Sequence, residues 1–363
     1  MNNISKQSNI IYFISNKCSQ TIGGVQTIIR LIEKAMPEQK FIENVLIYNE
    51  KDIKLSKLPN VEVATIEKKL ADKVQYYKTI IMEKNENISK KSIVPGSKII
   101  VFGAQKLLLL TKRQLRENEI IIFQSGKPDV TLASMGNTKI PIILKDRLKY
   151  IDKFLFFTKY DKEEIEKIIE NSNIHCTYKS YIVPNPSKTS RNQICRYTNN
   201  VMYLGRFDIL QKNIMEYIEV ADIIYPEYKL NAYGYGISEI LLRYSKVNVK
   251  GIIDDITEVA KENSVLLLLS NSEGFGNVLV EAFSVGMPVI VYNSYPAAKS
   301  IVAPGTGKLI PYGDIEGVKK AIKEILKDKN TFKKYSDAAF KASKKYVKED
   351  IVDKYIKVIK DEI

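Results

Sequence analysis

The chain of 363 residues has a single histidine, His175, and three cysteines, Cys18, Cys176 and Cys195, set far apart. One imidazole excludes a multi-histidine metal site, and His175 itself reads as a surface loop residue. An odd number of scattered thiols fits neither a disulfide framework nor a zinc cluster and points to a reducing compartment. Long apolar runs are missing as well: the oiliest stretches, VLLLLS and KLLLL, fall far short of the roughly 20 residues a membrane-spanning helix needs. The opening MNNISKQSNIIYFIS lacks the basic start, apolar core and small-residue cleavage site of a secretory signal. The expectation is a cytoplasmic protein with no membrane span.

What is there is the composition of a soluble globular protein, 45% hydrophobic and 27% charged. The length suits two α/β domains, each with its own core. The net charge of +14 is unevenly spread, with 32 Lys+Arg against 20 Asp+Glu in residues 1 to 195 and 24 against 22 in residues 196 to 363. That asymmetry has two readings: a polyanionic partner, either nucleic acid or an anionic lipid surface, or the Lys, Ile and Asn enrichment of an AT-rich genome. No nucleic-acid module accompanies the charge, so no nucleic-acid partner is expected. The surfaces expected to meet an anionic membrane are a helix over 105–117, QKLLLLTKRQLRE, and the segment 68–91 with Tyr76 and Tyr77.

Short β-branched runs, NIIYFIS, NVLIYN, SKIIVFG, EIIIFQ and KFLFFTK, alternate with helical patterns over 24–35, 105–117 and 160–171. Such alternation predicts a parallel, doubly wound sheet. The pattern stops at YIVPNPSKTSRNQICRY, residues 181–197, a polar stretch with two prolines that reads as a linker. It restarts with NVMYLGRF, YKLNAYGYG, VNVKGII, SVLLLLSN and MPVIVYN, and from Asp314 onward three helical stripes close the chain. The expected division is a first Rossmann-like domain over 1–188, a second over 189–346, and a last helix over 347–363 that packs back on the first.

Ligands of such sheets sit at the carboxyl ends of strands, where helix N-termini aim amides at anions. Glycines after strands therefore carry the argument. Gly23 and Gly24 precede the first helix but do not form the GxGxxG dinucleotide fingerprint. Gly205 ends a strand, with Arg206 beyond it and Lys212 just before a helix beginning near Asn213; a guanidinium fork and an ammonium can bracket a diphosphate. Gly234 and Gly236 leave room beside another strand end, or form a plain turn. In NSEGFGNVLVEAF a strand gives way to a helix near Asn277, with Glu273 before it and Glu281 about one turn inside. A carboxylate so near a phosphate would be repelled, so its natural partners are hydroxyls: a ribose for Glu281 and a hexose for Glu273. Helix-dipole stabilisation suits either glutamate alone, but not both together with the glycines. No Asp-x-Asp carboxylate pair lies beside these loops, and the adjacent Asp254 and Asp255 read as a helix cap, so no metal is expected.

NSEGFGNVLVEAFSVGMPVIV resembles the Glu, seven residues, Glu motif of retaining GT-B glycosyltransferases of family 4. IGGVQ is similar to their first glycine loop, DKFLFFTKYDKEEI and YIVPNP to late elements of their first domain, and YLGRFDILQKN to the phosphate-binding opening of the second. The resemblance covers most of residues 10 to 345. It implies a GT-B fold of two Rossmann-like domains facing a cleft, a nucleotide-sugar donor with UDP as the expected nucleotide, and transfer with retention and no metal or other cofactor. Carried over by position, Arg206 and Lys212 hold the diphosphate after Gly205, Glu273 the sugar, Glu281 the ribose, and the amides of Phe275, Gly276, Asn277, Val278 and Leu279 the phosphate and sugar. Gly251 and Ile252 present backbone to the base. Where many members place a histidine, this chain has IIFQSGKPDV, so Gln124, Ser125 or Lys127 substitutes; where relatives often have a Gly-Gly pair, it has NSYPAAKS. The resulting expectation is a hexosyltransferase-type enzyme, peripheral at the inner face of the cell membrane, acting on a lipid-linked or glycan acceptor in bacterial capsule, lipopolysaccharide or glycolipid synthesis. The alternatives are a transferase with a protein acceptor and a catalytically silent GT-B subunit.

Overall fold

A computed structural model describes residues 9–15, 23–46, 59–66, 93–132 and 140–363. The chain divides into two compact units, Met1–Val183 with Val352–Ile363, and Pro184–Ile351.

The first unit is built on strands β1 (Ile10–Ser15), β2 (Lys40–Leu46), β3 (Val61–Ile66), β4 (Lys98–Phe102), β5 (Glu119–Phe123), β6 (Lys153–Phe156) and β7 (Lys179–Ile182). They form one sheet in the order β3-β2-β1-β4-β5-β6-β7, with parallel pairing throughout. β6 is buried at every position and β5 at all but its first, as expected of strands covered by helices on both faces. The second unit carries β8 (Asn200–Leu204), β9 (Lys229–Tyr233), β10 (Asn248–Gly251), β11 (Val265–Leu268), β12 (Val289–Tyr292) and β13 (Gly307–Ile310) in the order β10-β9-β8-β11-β12-β13, again all parallel. Both expected doubly wound sheets are present.

Three local readings change. The strand expected over NVLIYN begins earlier, at Lys40, because Phe41 is fully buried and stacks on Phe13 with ring centroids 5.4 Å apart. The helix expected over 105–117 is two pieces: a 3-10 turn, Ala104–Leu109, and a short helix, Lys112–Glu117. Thr111 and Gln114 form a capping box that starts the second piece, so its own first-turn amides are satisfied locally and the first helix ends. Leu107, Leu109, Leu110 and Leu115 lie in the core of the first unit, and buried Lys106 donates to the carbonyl of Phe102. This segment is therefore packing, not an apolar face for a bilayer; 68–91 lies outside the described residues.

The stretch read as a linker is also firmly seated. From Pro184 on it belongs to the second unit, where Asn192 N donates to Ser284 O at 2.9 Å and Cys195 N to Val285 O at 3.0 Å. Arg191 donates to Ser343 Oγ at 2.7 Å and to Phe340 O at 3.1 Å while lying over the Phe340 ring. Its backbone amides and the Arg191 side chain thus bind carbonyls and a hydroxyl at the ends of two helices of the second unit.

In the first unit, fully buried Lys153 donates to Val358 O at 2.7 Å and pairs with Glu119 at 2.6 Å and Asp361 at 2.7 Å. A buried ammonium is tolerable only when so surrounded. The same cluster, with Tyr355 stacked on Phe123, fixes the last residues of the chain to this unit. Among the described residues no helix is long and apolar enough to cross a membrane.

Candidate active site

In the second sheet the strand order reverses between β8 and β11. Chains leaving these neighbours run to opposite faces, which opens a crevice at their carboxyl ends. β8 ends in a tight loop: Gly205 N donates to Tyr233 O at 3.0 Å and Phe207 N to Tyr235 O at 2.8 Å. A Cβ on Gly234 would lie 1.8 Å from the Gly205 carbonyl oxygen, and one on Gly236 would lie 2.3 Å from that of Phe207. The room these two glycines leave is thus filled by the chain's own backbone. Arg206, exposed on this loop, donates to Gln211 Oε1 at 2.8 Å, and Gln211 donates onward to Ser272 O at 3.3 Å.

Lys212 stands one residue before Asn213, whose left-handed backbone, φ 57°, turns the chain into the helix Ile214–Ile224. Its ammonium pairs with Oε1 of Glu273, and Ser270 Oγ donates to the same oxygen at 2.8 Å. The two side chains are only 16% and 11% exposed. Among the described residues Oε2 of Glu273 receives no hydrogen bond. The pair therefore keeps an open acceptor, and the lysine keeps protons beyond the one on Glu273.

Gly276, at φ 88°, is the N-cap of the helix Asn277–Ser284 and offers no side chain to cap it. A Cβ there would meet Tyr295 Oη at 2.6 Å, so glycine is required on both counts. The Asn277 side chain is held elsewhere, accepting from Asn185 Nδ2 at 2.9 Å. An uncapped N-terminus of this kind favours an anion. Phe275 is buried with its ring edge-on to Tyr346; Val278 and Leu279 follow in the first turn, and Leu279 N donates to Gly276 O at 2.9 Å.

Glu281, one turn in, is 8% exposed and takes no hydrogen bond among the described residues. Its nearest cation is Lys188 Nζ at 3.9 Å. Burial pushes its carboxyl above the ordinary range; Lys188 opposes the shift and Asp255 adds to it. At the end of β10, Gly251 has φ 91° and open space where a Cβ would be, although its carbonyl already accepts from Gly234 N at 2.7 Å. Ile252 is 68% exposed. Asp255 does cap the following turn, in a capping box with Glu258.

Arg206, Lys212 and Glu273 thus converge on the crevice, while Glu281 lies with Lys188 and Asp255. Gly23, Gly24, Gln124 and Ser125 belong to the other unit. Gly23 is the N-cap of the helix Gly24–Ala35, and a Cβ on it would strike Gln26 Oε1 at 2.2 Å. Gln124 is buried and committed: Nε2 donates to Asp161 at 2.9 Å and to Gly126 O at 3.0 Å, while Oε1 accepts from Phe157 N at 2.9 Å. Its amide joins β5 to the helix Lys159–Asn171 and leaves no free group for a sugar; Ser125 is half-buried beside Gly103. Gln211, Ser270 and Lys188 escaped sequence reasoning. Lys188 lay in the supposed linker, and the other two have side chains whose roles depend on register between loops distant in sequence.

Residues 191–342 match the model of the family Glycosyl transferases group 1. An uncharacterised 41.2 kDa protein in the cps region of Klebsiella pneumoniae is 32% identical over 48% of this chain and 49% of its own. The chain matches about half or less of the length of the first three curated relatives. Among solved structures, the apo form of the lipopolysaccharide outer core galactosyltransferase WaaB aligns with a TM-score of 0.73 over 98% of this chain and 100% of that one at 18% identity. Anabaena HepE in complex with UDP and glucose aligns with a TM-score of 0.68 over 97% and 99% at 13% identity. The fold is thus the GT-B one, with two Rossmann-like parallel-sheet units.

Proposed function

We propose that the chain is a glycosyltransferase of bacterial surface polysaccharide or glycolipid synthesis, moving a sugar from a UDP-sugar to a lipid-linked glycan with retention and without a metal. The observation that carries this reading is the Lys212–Glu273 pair at the strand-order reversal, beside the uncapped helix at Gly276. In this reading the diphosphate lies between Arg206, Lys212 and the helix amides, which take up the charge that develops as the bond from the sugar's anomeric carbon to phosphate breaks. A phosphate oxygen of the leaving diphosphate accepts the acceptor's proton on the same face, so no protein nucleophile is required. Glu273, with Oε2 open, accepts from sugar hydroxyls, and Glu281 gains from ribose hydroxyls the hydrogen bonds it otherwise lacks. The relatives in capsule and lipopolysaccharide contexts and the UDP complex of Anabaena HepE support the substrate class. The positive excess of residues 1 to 195 supports contact with an anionic membrane carrying the acceptor.

Incubating purified protein with a panel of nucleotide sugars in EDTA, and measuring nucleotide release, tests the proposal. Release from a UDP-sugar in the presence of chelator is the expected result, with the product's anomeric configuration matching the donor's. Activity lost in EDTA and restored by magnesium or manganese would contradict metal independence. Silence across the panel, with no nucleotide binding, would favour a silent subunit.

A further inference from the structure

The turn Ser187–Thr189 is tied into the second unit from several sides. Ser187 N donates to Tyr346 O at 2.9 Å, Ser284 Oγ donates to Ser187 Oγ at 2.9 Å, and Thr189 Oγ1 donates to Asp255 Oδ2 at 3.0 Å. Thr189 N closes the turn onto Ser187 Oγ at 3.2 Å. The only side chain of the turn that reaches outward is Lys188, half exposed, whose Nζ donates to Asp254 O at 2.8 Å and lies 3.9 Å from Glu281 Oε2. It therefore spans from the loop after β10 to the helix Asn277–Ser284. We propose that Lys188 is a positioning residue for the nucleoside end of the donor, holding Glu281 as an ionised, oriented acceptor for the ribose diol.

This rests on the glycosyltransferase reading but goes beyond the residues of its motif. The physical need is plain from the surroundings. Glu281 is buried, has no hydrogen-bond donor among the described residues, and is faced by two charged groups, Lys188 and Asp255. Burial and Asp255 both favour the neutral acid; only Lys188 favours the carboxylate. A neutral acid would present a donor to one ribose hydroxyl and lose the paired acceptance that distinguishes a diol. At 3.9 Å the ammonium supplies charge without occupying the carboxylate's lone pairs, so both oxygens stay available to ligand hydroxyls.

The test is UDP affinity by calorimetry for the full chain and its Lys188→Met, Lys188→Arg, Glu281→Gln and Lys188→Met/Glu281→Gln variants, at pH 6 and pH 8.5. Lys188→Met should weaken UDP binding roughly tenfold at the lower pH and less at the higher one, because loss of the cation raises the carboxyl further and more of it is protonated in acid. Taking the ratio of variant to unaltered affinity cancels the titration of UDP itself. Lys188→Arg should restore most of the affinity. In the Glu281→Gln background, Lys188→Met should add little, since its effect is routed through that carboxylate. An equal loss at both pH values, or a full additional loss in the double variant, would show that Lys188 binds the nucleotide directly and overturn the proposal. Undiminished binding by Lys188→Met would overturn it as well. If the unaltered protein binds no nucleotide, the glycosyltransferase reading falls and this inference with it, whereas binding with an indifferent Lys188 leaves that reading standing.

Discussion

The two sheets reverse strand order at equivalent places, β1 against β4 in the first unit and β8 against β11 in the second, yet their carboxyl ends are furnished in opposite ways. In the first unit two described polar side chains near this end are consumed internally, although Gln105 Oε1 is buried there without a partner among the described residues. Gln124 serves Asp161, Gly126 and Phe157, and buried Lys106 rests on the carbonyl of Phe102. In the second, charged groups are left with fewer partners than they can hold: Glu273 with one oxygen open, Glu281 with a lysine at 3.9 Å, and a helix without a cap. A protein tolerates such underuse where a ligand completes the set, because an unmet buried polar group costs about 1–3 kcal/mol. Among the described residues the same topology therefore yields a largely self-satisfied end and an unfinished one.

The largest effect should come from the unfinished end. Lys212→Ala removes the ammonium proposed to meet the leaving diphosphate and strands Glu273, so donor turnover should fall by about 10²- to 10³-fold in nucleotide-release assays. A loss of only a few-fold would remove the distinction between the two ends. At the self-satisfied end, Gln124→Ala should instead cost stability, about 1–3 kcal/mol in denaturant unfolding, because Asp161 and the Phe157 amide lose their partner. UDP affinity should be untouched, and a loss of affinity at full stability would assign Gln124 to a ligand after all.

Asp161 sharpens the contrast through pH. Burial pushes its carboxyl up to about 6, against the hydrogen bonds from Thr158 and Gln124. A raised folded-state value means the native state holds the proton more tightly, so Asp161's contribution is fully present below pH 3.8 and is lost as pH rises through about 6. Unfolding free energies compared between the unaltered protein and Asp161→Asn should diverge across that window by on the order of 1–3 kcal/mol; parallel curves would contradict it. The smallest change concerns Ser238, 3% exposed, whose hydroxyl has no partner among the described residues. Ser238→Ala should be neutral or stabilising by under ~1 kcal/mol. A clear destabilisation would mean the hydroxyl is engaged.

The paired sheets were legible because fully buried parallel strands leave β-branched runs, and the candidate site of the second unit could be proposed because glycines and charges cluster at strand ends. Asn213, Asn277 and Asp255 stand at the helix starts where the sequence placed them. Other features were hidden for identifiable reasons. Thr111 breaks an otherwise continuous helical stripe with a cap, which apolar periodicity does not register. Gly234 and Gly236 left ligand room and a plain turn equally open, because a sequence does not reveal that the Gly205–Phe207 backbone occupies the space. Ser187–Arg191 read as part of a linker since the contacts that seat it in the unit are to residues far along the chain.

The central claim is that the buried charges of the second unit await a nucleotide and do not merely hold the fold. Glu281→Gln separates these directly, through UDP affinity by calorimetry and thermal unfolding of the same preparation at pH 7.5. Since burial raises the Glu281 carboxyl, its ionised form costs the native state stability above the usual carboxylate range, and the neutral amide relieves that cost. The account predicts a loss of UDP affinity of about tenfold to a hundredfold with an unfolding midpoint unchanged or higher. Unchanged UDP affinity with a lowered midpoint would contradict it.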